Sequence, residues 1–317
     1  GIVPLRPLGV GELLDGALGL IRSNPRTVLG LAATISAISA LLQTVGLWLS
    51  LRLIEPTATI TGGTTTTVDV NAELSAALTG GLLQFGPALV ASFLQVLASG
   101  LFIVLVGGAV LGRRLDATAT WASLRPRFLP LLSLTVLLIV GSLFAVALVV
   151  AVIVGLALAV GAWAILPGLL LTALGGVGLV YLYVKLSLAS AALVMEGCGV
   201  LGSLRRSWAL VRGSWWRVLG ILILSAFITS ALAVVVTVPI TAISGVLSGF
   251  SGSILPVVLA TGTATLVAGI VTVPFSAAVT GLLYIDLRMR REALDIALVS
   301  AGVDPQGDPL APYQPRL

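Results

Sequence analysis

The chain has 317 residues, of which 58% are hydrophobic and 9% are charged, and its mean hydropathy is +1.16. Soluble domains are roughly half apolar and about a quarter charged, and disordered chains combine low hydrophobicity with high net charge, so the composition excludes both classes. The chain has no histidine and one cysteine, Cys198, which excludes histidine-based catalysis, Cys/His metal sites and an intrachain disulfide. Long apolar runs recur instead, and they indicate a polytopic helical membrane protein.

Six apolar runs are long enough to cross a hydrocarbon core of about 30 Å. The predicted spans cover residues 28–51, 81–111, 128–154, 169–195, 218–243 and 255–285. The Ser/Gly-rich segment Ser244–Ser253 is predicted to be the turn between the fifth and sixth spans. Residues 1–300 are expected to form a single membrane domain. The Pro-rich residues 301–317 are expected to be a loose cytoplasmic tail.

A weak internal repeat places a short amphipathic helix before each pair of spans. Gly9–Gly30 aligns with Gly199–Gly220 without a gap, so that Arg22 lies opposite Arg212, and a fainter third copy places Arg125 opposite both. Such helices are typical of the membrane interface. They are predicted over residues 9–23, 115–126 and 199–213. The predicted fold is therefore an all-α membrane protein with six transmembrane helices, in three repeats of an interfacial helix plus a two-helix hairpin.

The arginines predict the orientation of the spans. Fifteen of them lie before the first span, between the second and third, between the fourth and fifth, or after the sixth, and only Arg52 lies on the opposite side. Positive residues concentrate on the cytoplasmic side, so both termini are predicted to be cytoplasmic in a bacterial plasma membrane. The chain begins with Gly1 rather than Met, so we expect a preceding piece, and we see no cleavable signal before the first span.

Three motifs in combination resemble a known family. They are Gly11–Asp15 with Arg22, Glu196-Gly197 followed by Ser203–Gly213, and Leu283–Glu292. Together they resemble the bacterial, mostly actinobacterial, "glycerophosphoryl diester phosphodiesterase membrane domain" proteins over residues 5–300.

The resemblance implies the membrane part of that family only. In its fused members, the phosphodiesterase activity belongs to a separate soluble domain with a histidine pair and carboxylate metal ligands. This chain has no histidine and no such domain, so no catalytic residue carries over. We expect no enzyme activity, no cofactor and no metal.

Basic and aromatic residues are concentrated in the segments predicted to be cytoplasmic. Arginine is attracted to anionic headgroups, and tryptophan prefers the headgroup level. We predict a collar at the inner leaflet that binds anionic phospholipid or the acidic face of a partner protein, and we expect no nucleic acid. An alternative is that these arginines only set topology. The collar residues are Arg22, Arg26, Arg125, Arg127, Arg205, Arg206, Trp208, Arg212, Trp215, Trp216 and Arg217.

Lys185 is the one ionisable residue deep within a predicted span. A lysine facing acyl chains is costly, so its side chain is predicted to be buried inside the bundle. Its role is either structural or the binding of an anionic lipid or solute. Its candidate partners are backbone carbonyls, Gln84, Gln95 and the hydroxyls of Tyr181 and Tyr183.

Two further groups of charges are interpreted structurally. Glu196 is expected to cap a helix or to pair with Arg205 or Arg206 across a turn. The alternating acids and arginines from Asp286 to Asp295 have helical spacing, so they are expected to form a solvated extension of the sixth span.

The sequence favours a non-catalytic membrane scaffold or an accessory subunit of a cell-envelope complex, with other membrane proteins of that complex as candidate partners. The alternative is a transporter, or transporter subunit, for a lipid or hydrophobic solute, with Lys185 near the pathway. The spans lack the arrays of carboxylates expected of ion-coupled pumps.

Overall fold

The structure is a computed structural model that describes residues 6–53, 70–113, 115–160, 165–292 and 310–313. Within these ranges all regular secondary structure is helical, and six helices are long and apolar enough to cross a membrane. The prediction of an all-α protein with six transmembrane helices is confirmed. The chain is a multi-pass membrane protein that associates with lipid through these helices.

In the described part of the chain, short helices recur before pairs of long ones. Short α1, α4 and α8 each precede a pair of long helices, in the order that the repeat predicts. The ten α-helices are α1 Val10–Ser23, α2 Pro25–Leu53, α3 Val70–Val110, α4 Ala117–Leu124, α5 Phe128–Val160, α6 Ile165–Leu186, α7 Ala189–Glu196, α8 Val200–Val211, α9 Trp215–Ser251 and α10 Leu255–Glu292. Short 3₁₀ helices cover Arg125–Arg127 and Ala311–Tyr313.

The fourth span is interrupted near the end of its helix. Helix α6 ends at Leu186 and α7 begins at Ala189, so the predicted span over residues 169–195 consists of two helices. At this interruption the hydroxyl of Ser207 in α8 donates to the carbonyl oxygen of Lys185 at 2.6 Å. A side chain from α8 therefore satisfies a carbonyl where α6 stops.

The prediction of a turn over Ser244–Ser253 is wrong, because α9 continues to Ser251. The hydroxyls of Ser244 and Ser248 donate to carbonyls three residues earlier in the helix, so these serines are satisfied without leaving it. The chain turns at Gly252, whose φ of 61° lies in the left-handed region that favours glycine.

Helix α10 is longer than a bilayer requires. It has 38 residues, or about 57 Å at 1.5 Å per residue, against a hydrocarbon core of about 30 Å. The helix is therefore long enough for its charged last two turns, which begin after Ile285, to lie outside the hydrocarbon core.

The contacts within the chain define two compact units. The first comprises residues 1–27, 99–227 and 275–317, and the second comprises residues 28–98 and 228–274. In the first unit, the end of α3 is buried throughout Leu101–Val110, as is α7 from Ala191 to Glu196. The single domain over residues 1–300 stays a prediction.

In the second unit, small residues bring helices into close contact. A β-carbon at Gly46 of α2 would lie 2.7 Å from Cγ of Pro87 in α3, and one at Gly269 of α10 would lie 2.5 Å from Oγ of Ser36 in α2. Close approach at small residues is typical of helix packing in membranes.

The prediction of a loose tail is wrong for the described residues Leu310–Tyr313, which pack within the first unit. Leu310 and Tyr313 are fully buried. The Tyr313 hydroxyl donates to the carbonyl oxygen of Gly107 at 3.0 Å, and its own carbonyl accepts from Arg288 Nη1 at 2.7 Å. A leucine and a tyrosine near the end of a Pro-rich tail supply enough apolar surface and hydrogen bonds to order these four residues.

Replacing Gly107 by leucine is expected to displace this C-terminal segment. A β-carbon there would already lie 3.0 Å from Cδ2 of Leu310, so the larger side chain costs roughly 1–3 kcal/mol by overpacking. Carboxypeptidase trimming past Tyr313 should become about tenfold faster, since 1.4 kcal/mol is tenfold in an equilibrium. The matched control is Gly86→Leu on the same helix, where a β-carbon meets nothing within 4 Å. Equal trimming of the two variants would contradict the docking.

Candidate functional site

Glu196, at the end of α7, is the centre of a buried ion-pair network in the first unit. Its carboxylate accepts hydrogen bonds from Arg206 Nε at 2.9 and 3.0 Å and from the Tyr284 hydroxyl. Arg288 Nε lies 3.4 Å from Oε1 of Glu196, and the two side chains are 7% and 4% exposed. Three donors therefore compensate the buried carboxylate, and of the two arginines proposed from sequence it pairs with Arg206.

Glu292 joins the same two arginines one turn further along α10. Its Oε2 accepts from Arg206 Nη2 at 2.5 Å and from Arg288 Nε at 3.0 Å. Partial burial alone would lower the pKa of Arg206, but its hydrogen bonds to Glu292 and Glu196 outweigh that effect and raise the pKa. Arg206 is therefore charged, and its guanidinium is paired with carboxylates of the protein itself.

Asp286 is the centre of a second network. Its buried carboxylate accepts from the Leu8 backbone N–H at 2.8 Å, from Arg217 Nη2 at 3.0 Å and from Arg290 Nε at 3.0 and 3.1 Å. Arg217 and Arg290 also donate to the Leu8 carbonyl, at 2.8 and 2.7 Å. The network fixes the segment before α1 to the start of α9 and the end of α10.

The expectation of a solvated extension after the sixth span is wrong for Asp286–Met289, whereas Arg290, Arg291 and Glu292 are exposed as expected. Asp286 and Arg288 are buried. Arg291 donates to the Ala209 carbonyl at 3.1 Å and to the Arg212 carbonyl, so it caps the C-terminal end of α8. Helical spacing correctly predicts the ion pair between Arg288 and Glu292, four residues apart. It does not predict that Asp286 and Arg288 are buried, because the segments that cover them, α7, α8 and the residues around Leu8, are distant in sequence.

Lys185 lies beneath aromatic rings, and the prediction that it is buried is confirmed at 4% exposure. Its Nζ lies 5.0 Å from the centroid of the Trp208 ring and 5.6 Å from that of Tyr181, which is cation–π distance. The Tyr181 ring also contacts Trp208 edge-on, with centroids 6.2 Å apart, and Trp215 at 5.9 Å. The ring of Tyr181, rather than its hydroxyl, is thus the partner of the ammonium.

The collar residues separate into an inner and an outer set. Arg206 and Arg217 bind carboxylates of the protein, and they are half-buried together with Arg127 and Trp215. The others are exposed. Lipid or partner binding by any of them stays a prediction. The outer set is Arg22, Arg26, Arg125, Arg205, Trp208, Arg212 and Trp216.

Three residues of α8 and Arg212, which directly follows the helix, form one exposed stripe, called here the outer stripe of α8. Leu201, Arg205, Trp208 and Arg212 follow the spacing of a single helix face and are all exposed. The side of α8 that is buried carries Ser203, Ser207, Leu210 and Val211. The outer stripe alternates apolar and cationic residues, a combination suited to the boundary between acyl chains and headgroups.

Two other features bear on function. Among the described residues, no group of three or more Cys, Asp or Glu side chains is placed to hold a metal ion. In the second unit, residues of α9 and α10 line an open apolar groove of about 660 Å³. Its lining includes Ile240, Leu247, Leu255 and Leu259.

The chain belongs to the family described as "Domain of unknown function (DUF7847)", whose model matches residues 8–287. No curated protein and no solved structure shows significant similarity to it. The family description names no activity, so the resemblance drawn from the three sequence motifs stays a prediction.

Replacing Glu196 by glutamine is expected to destabilise the protein by about 3 kcal/mol, because removing one member of a buried ion pair leaves the other uncompensated. The free energy of unfolding in mixed detergent micelles measures the effect. The control is Glu12→Gln, whose ion pair with Arg6 is exposed and whose loss should cost about 1 kcal/mol or less. Equal losses in the two variants would show that the Glu196 network contributes little.

The thiol of Cys198 reports the charge of Glu196. Burial raises the pKa of Cys198, and the neighbouring Glu196 carboxylate raises it further, so little thiolate forms at neutral pH. Removing that negative charge in Glu196→Gln should lower the thiol pKa. The pH at which iodoacetamide labelling is half-maximal should then shift downward, while in Glu12→Gln it should match the wild type. A profile that does not move in Glu196→Gln would contradict the electrostatic coupling.

Proposed function

We propose that this protein is a non-catalytic integral membrane scaffold, or an accessory subunit of a cell-envelope complex, that binds anionic phospholipid at its arginine-rich end. The arginine bias supports an orientation in which both termini are cytoplasmic in a bacterial plasma membrane. The lack of histidine and of a nucleophile–base pair in the sequence motivates the proposal that it is not an enzyme.

The observation that carries the proposal is the outer stripe of α8, formed by Leu201, Arg205, Trp208 and Arg212. A stripe exposed only to water does not need Leu201, which is 72% exposed, or Trp208. A stripe facing hydrocarbon would not carry two arginines. The headgroup region of an anionic leaflet accommodates both kinds of side chain.

The inner arginines add to this argument. Arg206 and Arg217 already bind Glu196, Glu292 and Asp286 within the protein. Their role is to hold α8 and α9 in place, which leaves Arg205 and Arg212 to act on the surroundings. The acidic face of a partner protein offers similar charge, but the exposed leucine and tryptophan favour lipid.

A second candidate function is transport of a lipid or hydrophobic solute, alone or with a partner. The open apolar groove between α9 and α10 in the second unit supports it, since its size and lining suit an acyl chain.

Reversing the charge of Arg205 in α8 and of Arg212 directly after it tests the lipid proposal. Each arginine near an anionic surface contributes about 1 kcal/mol, so Arg205→Glu/Arg212→Glu should reduce co-purified anionic phospholipid, relative to zwitterionic, by more than about tenfold. Native mass spectrometry of the purified protein gives the lipid counts, and reporter fusions to the termini monitor topology. Arg206 is left intact, because its loss would break the Glu196 network.

The matched control is Arg52→Glu, an exposed arginine at the end of α2 whose guanidinium lies 5.4 Å from the Trp48 ring. It should leave lipid selectivity unchanged. Unaltered lipid counts in the double variant, with topology retained, would mean that the outer arginines only set orientation.

A further inference from the structure

The three short helices α1, α4 and α8 bury and expose equivalent positions of the sequence repeat. All three lie in the first unit. In each of them one small residue is completely buried, and the residue directly after it is an apolar side chain that is between 37% and 44% exposed. These neighbours are Ala17 and Leu18 in α1, Thr120 and Trp121 in α4, and Ser207 and Trp208 in α8. The repeat therefore extends from the sequence to the surface of the protein.

An exposed arginine follows each of these apolar residues by four positions. Arg22 lies in the last turn of α1, whereas Arg125 and Arg212 directly follow α4 and α8. A spacing of four brings two side chains together on one helix face. The result is three apolar–arginine pairs, Leu18/Arg22, Trp121/Arg125 and Trp208/Arg212.

The three apolar–arginine pairs lie at one end of the transmembrane helices. Each arginine is three residues before a long helix, α2, α5 or α9, and these are the first, third and fifth spans. A guanidinium donates several hydrogen bonds to a phosphate, and an exposed leucine or tryptophan is suited to the boundary between headgroups and acyl chains. Each pair therefore has the two chemical groups that a phospholipid headgroup region accommodates.

The three helices differ in charge at one further position of the same exposed face. Three residues before the apolar side chain, α1 has Asp15, α4 has Thr118 and α8 has Arg205, and all three are exposed. The local charge next to the pair thus changes from negative through neutral to positive. An anionic headgroup is repelled by the first and attracted by the last.

We propose that α1, α4 and α8 each bind a phospholipid headgroup through their apolar–arginine pair, with a preference for anionic lipid that rises from α1 through α4 to α8. The proposal rests on the proposed function for the lipid at α8. It adds two binding sites and an order of preference set by Asp15, Thr118 and Arg205. Each unit of charge near an anionic surface changes the preference about fivefold.

Fluorescence quenching by brominated lipids measures the lipid at each helix separately. The full chain is placed in nanodiscs of phosphatidylcholine and phosphatidylglycerol in equal amounts, with either one brominated. It carries Cys198→Ser and one bimane-labelled cysteine directly after the exposed apolar residue, at a position that is not buried in any of the three helices. The ratio of quenching by the two brominated lipids gives the anionic preference at that helix. The labelled variants are Gly19→Cys, Ala122→Cys and Ala209→Cys.

Brominated lipid should quench the label at all three helices. The preference for phosphatidylglycerol should be lowest at α1, about fivefold higher at α4 and about fivefold higher again at α8. Quenching at α8 alone would overturn this inference and leave the proposed function standing, whereas no quenching at any helix would overturn both. Equal preferences at the three helices would overturn the order.

Reversing the charge of Asp15 tests whether the stripe position sets the preference. Asp15→Arg should raise the preference for phosphatidylglycerol at α1 about 25-fold, because the local charge changes by two, and should leave the label at α8 unaffected. The charge-matched control is Asp116→Arg, at an exposed acid before α4 whose side chain makes no capping hydrogen bond. It should leave the preference at α1 unchanged. An equal rise at α1 in both variants would show that net charge sets the preference and would overturn the proposal.

Discussion

The arginine-rich end of the first unit depends on the burial of one carboxylate. Glu196 is 4% exposed, and a charge so placed is tolerated only when donors surround it. Those donors come from α8, through Arg206, and from α10, through Tyr284 and Arg288. Satisfying Glu196 therefore fixes the positions of three helices at once.

The last two turns of α10 extend this constraint to the neighbouring segments. Asp286 holds the backbone at Leu8 and Arg217 of α9, Arg288 holds the carbonyl of Tyr313, and Arg291 caps α8. Because each of these groups is matched within the protein, the network orients α8 so that its remaining charged residues point outward. The adjacent residues Arg205 and Arg206 thus have opposite roles: Arg206 is a partner of Glu196, and Arg205 lies on the outer stripe.

Much of the fold follows from the sequence because each transmembrane helix is a local apolar run, and the burial of Lys185 follows from the cost of a charge in hydrocarbon. The structural roles of Asp286, Arg288 and Tyr313 could not be predicted in this way. Their partners come from segments far away in the chain: the contact of Asp286 with Leu8 spans 278 residues, and that of Tyr313 with Gly107 spans 206. Spacing predicts only the local pairs.

The candidate site divides along the same line. Composition predicts a basic and aromatic end, but it does not show which arginines form ion pairs within the protein. Arg205 and Arg206 are adjacent residues of the same type, so the sequence alone gives no basis for assigning them different roles. Trp215 and Trp216 present the same problem, because only the structure shows that the indole N–H of Trp215 is buried with no acceptor among the described residues. Distinguishing such neighbours requires the packing of α6, α8 and α9.

A double-mutant cycle between Glu196 and Arg288 tests the central claim most directly. The unfolding free energies of Glu196→Gln, Arg288→Gln and the double variant give the coupling of the two side chains in the folded protein. A shared buried network predicts a coupling of roughly 1–3 kcal/mol, so that the double variant loses less stability than the two single variants together. Additivity within about 0.5 kcal/mol, the behaviour of independent sites, would contradict the view that Glu196 holds this end of the protein together.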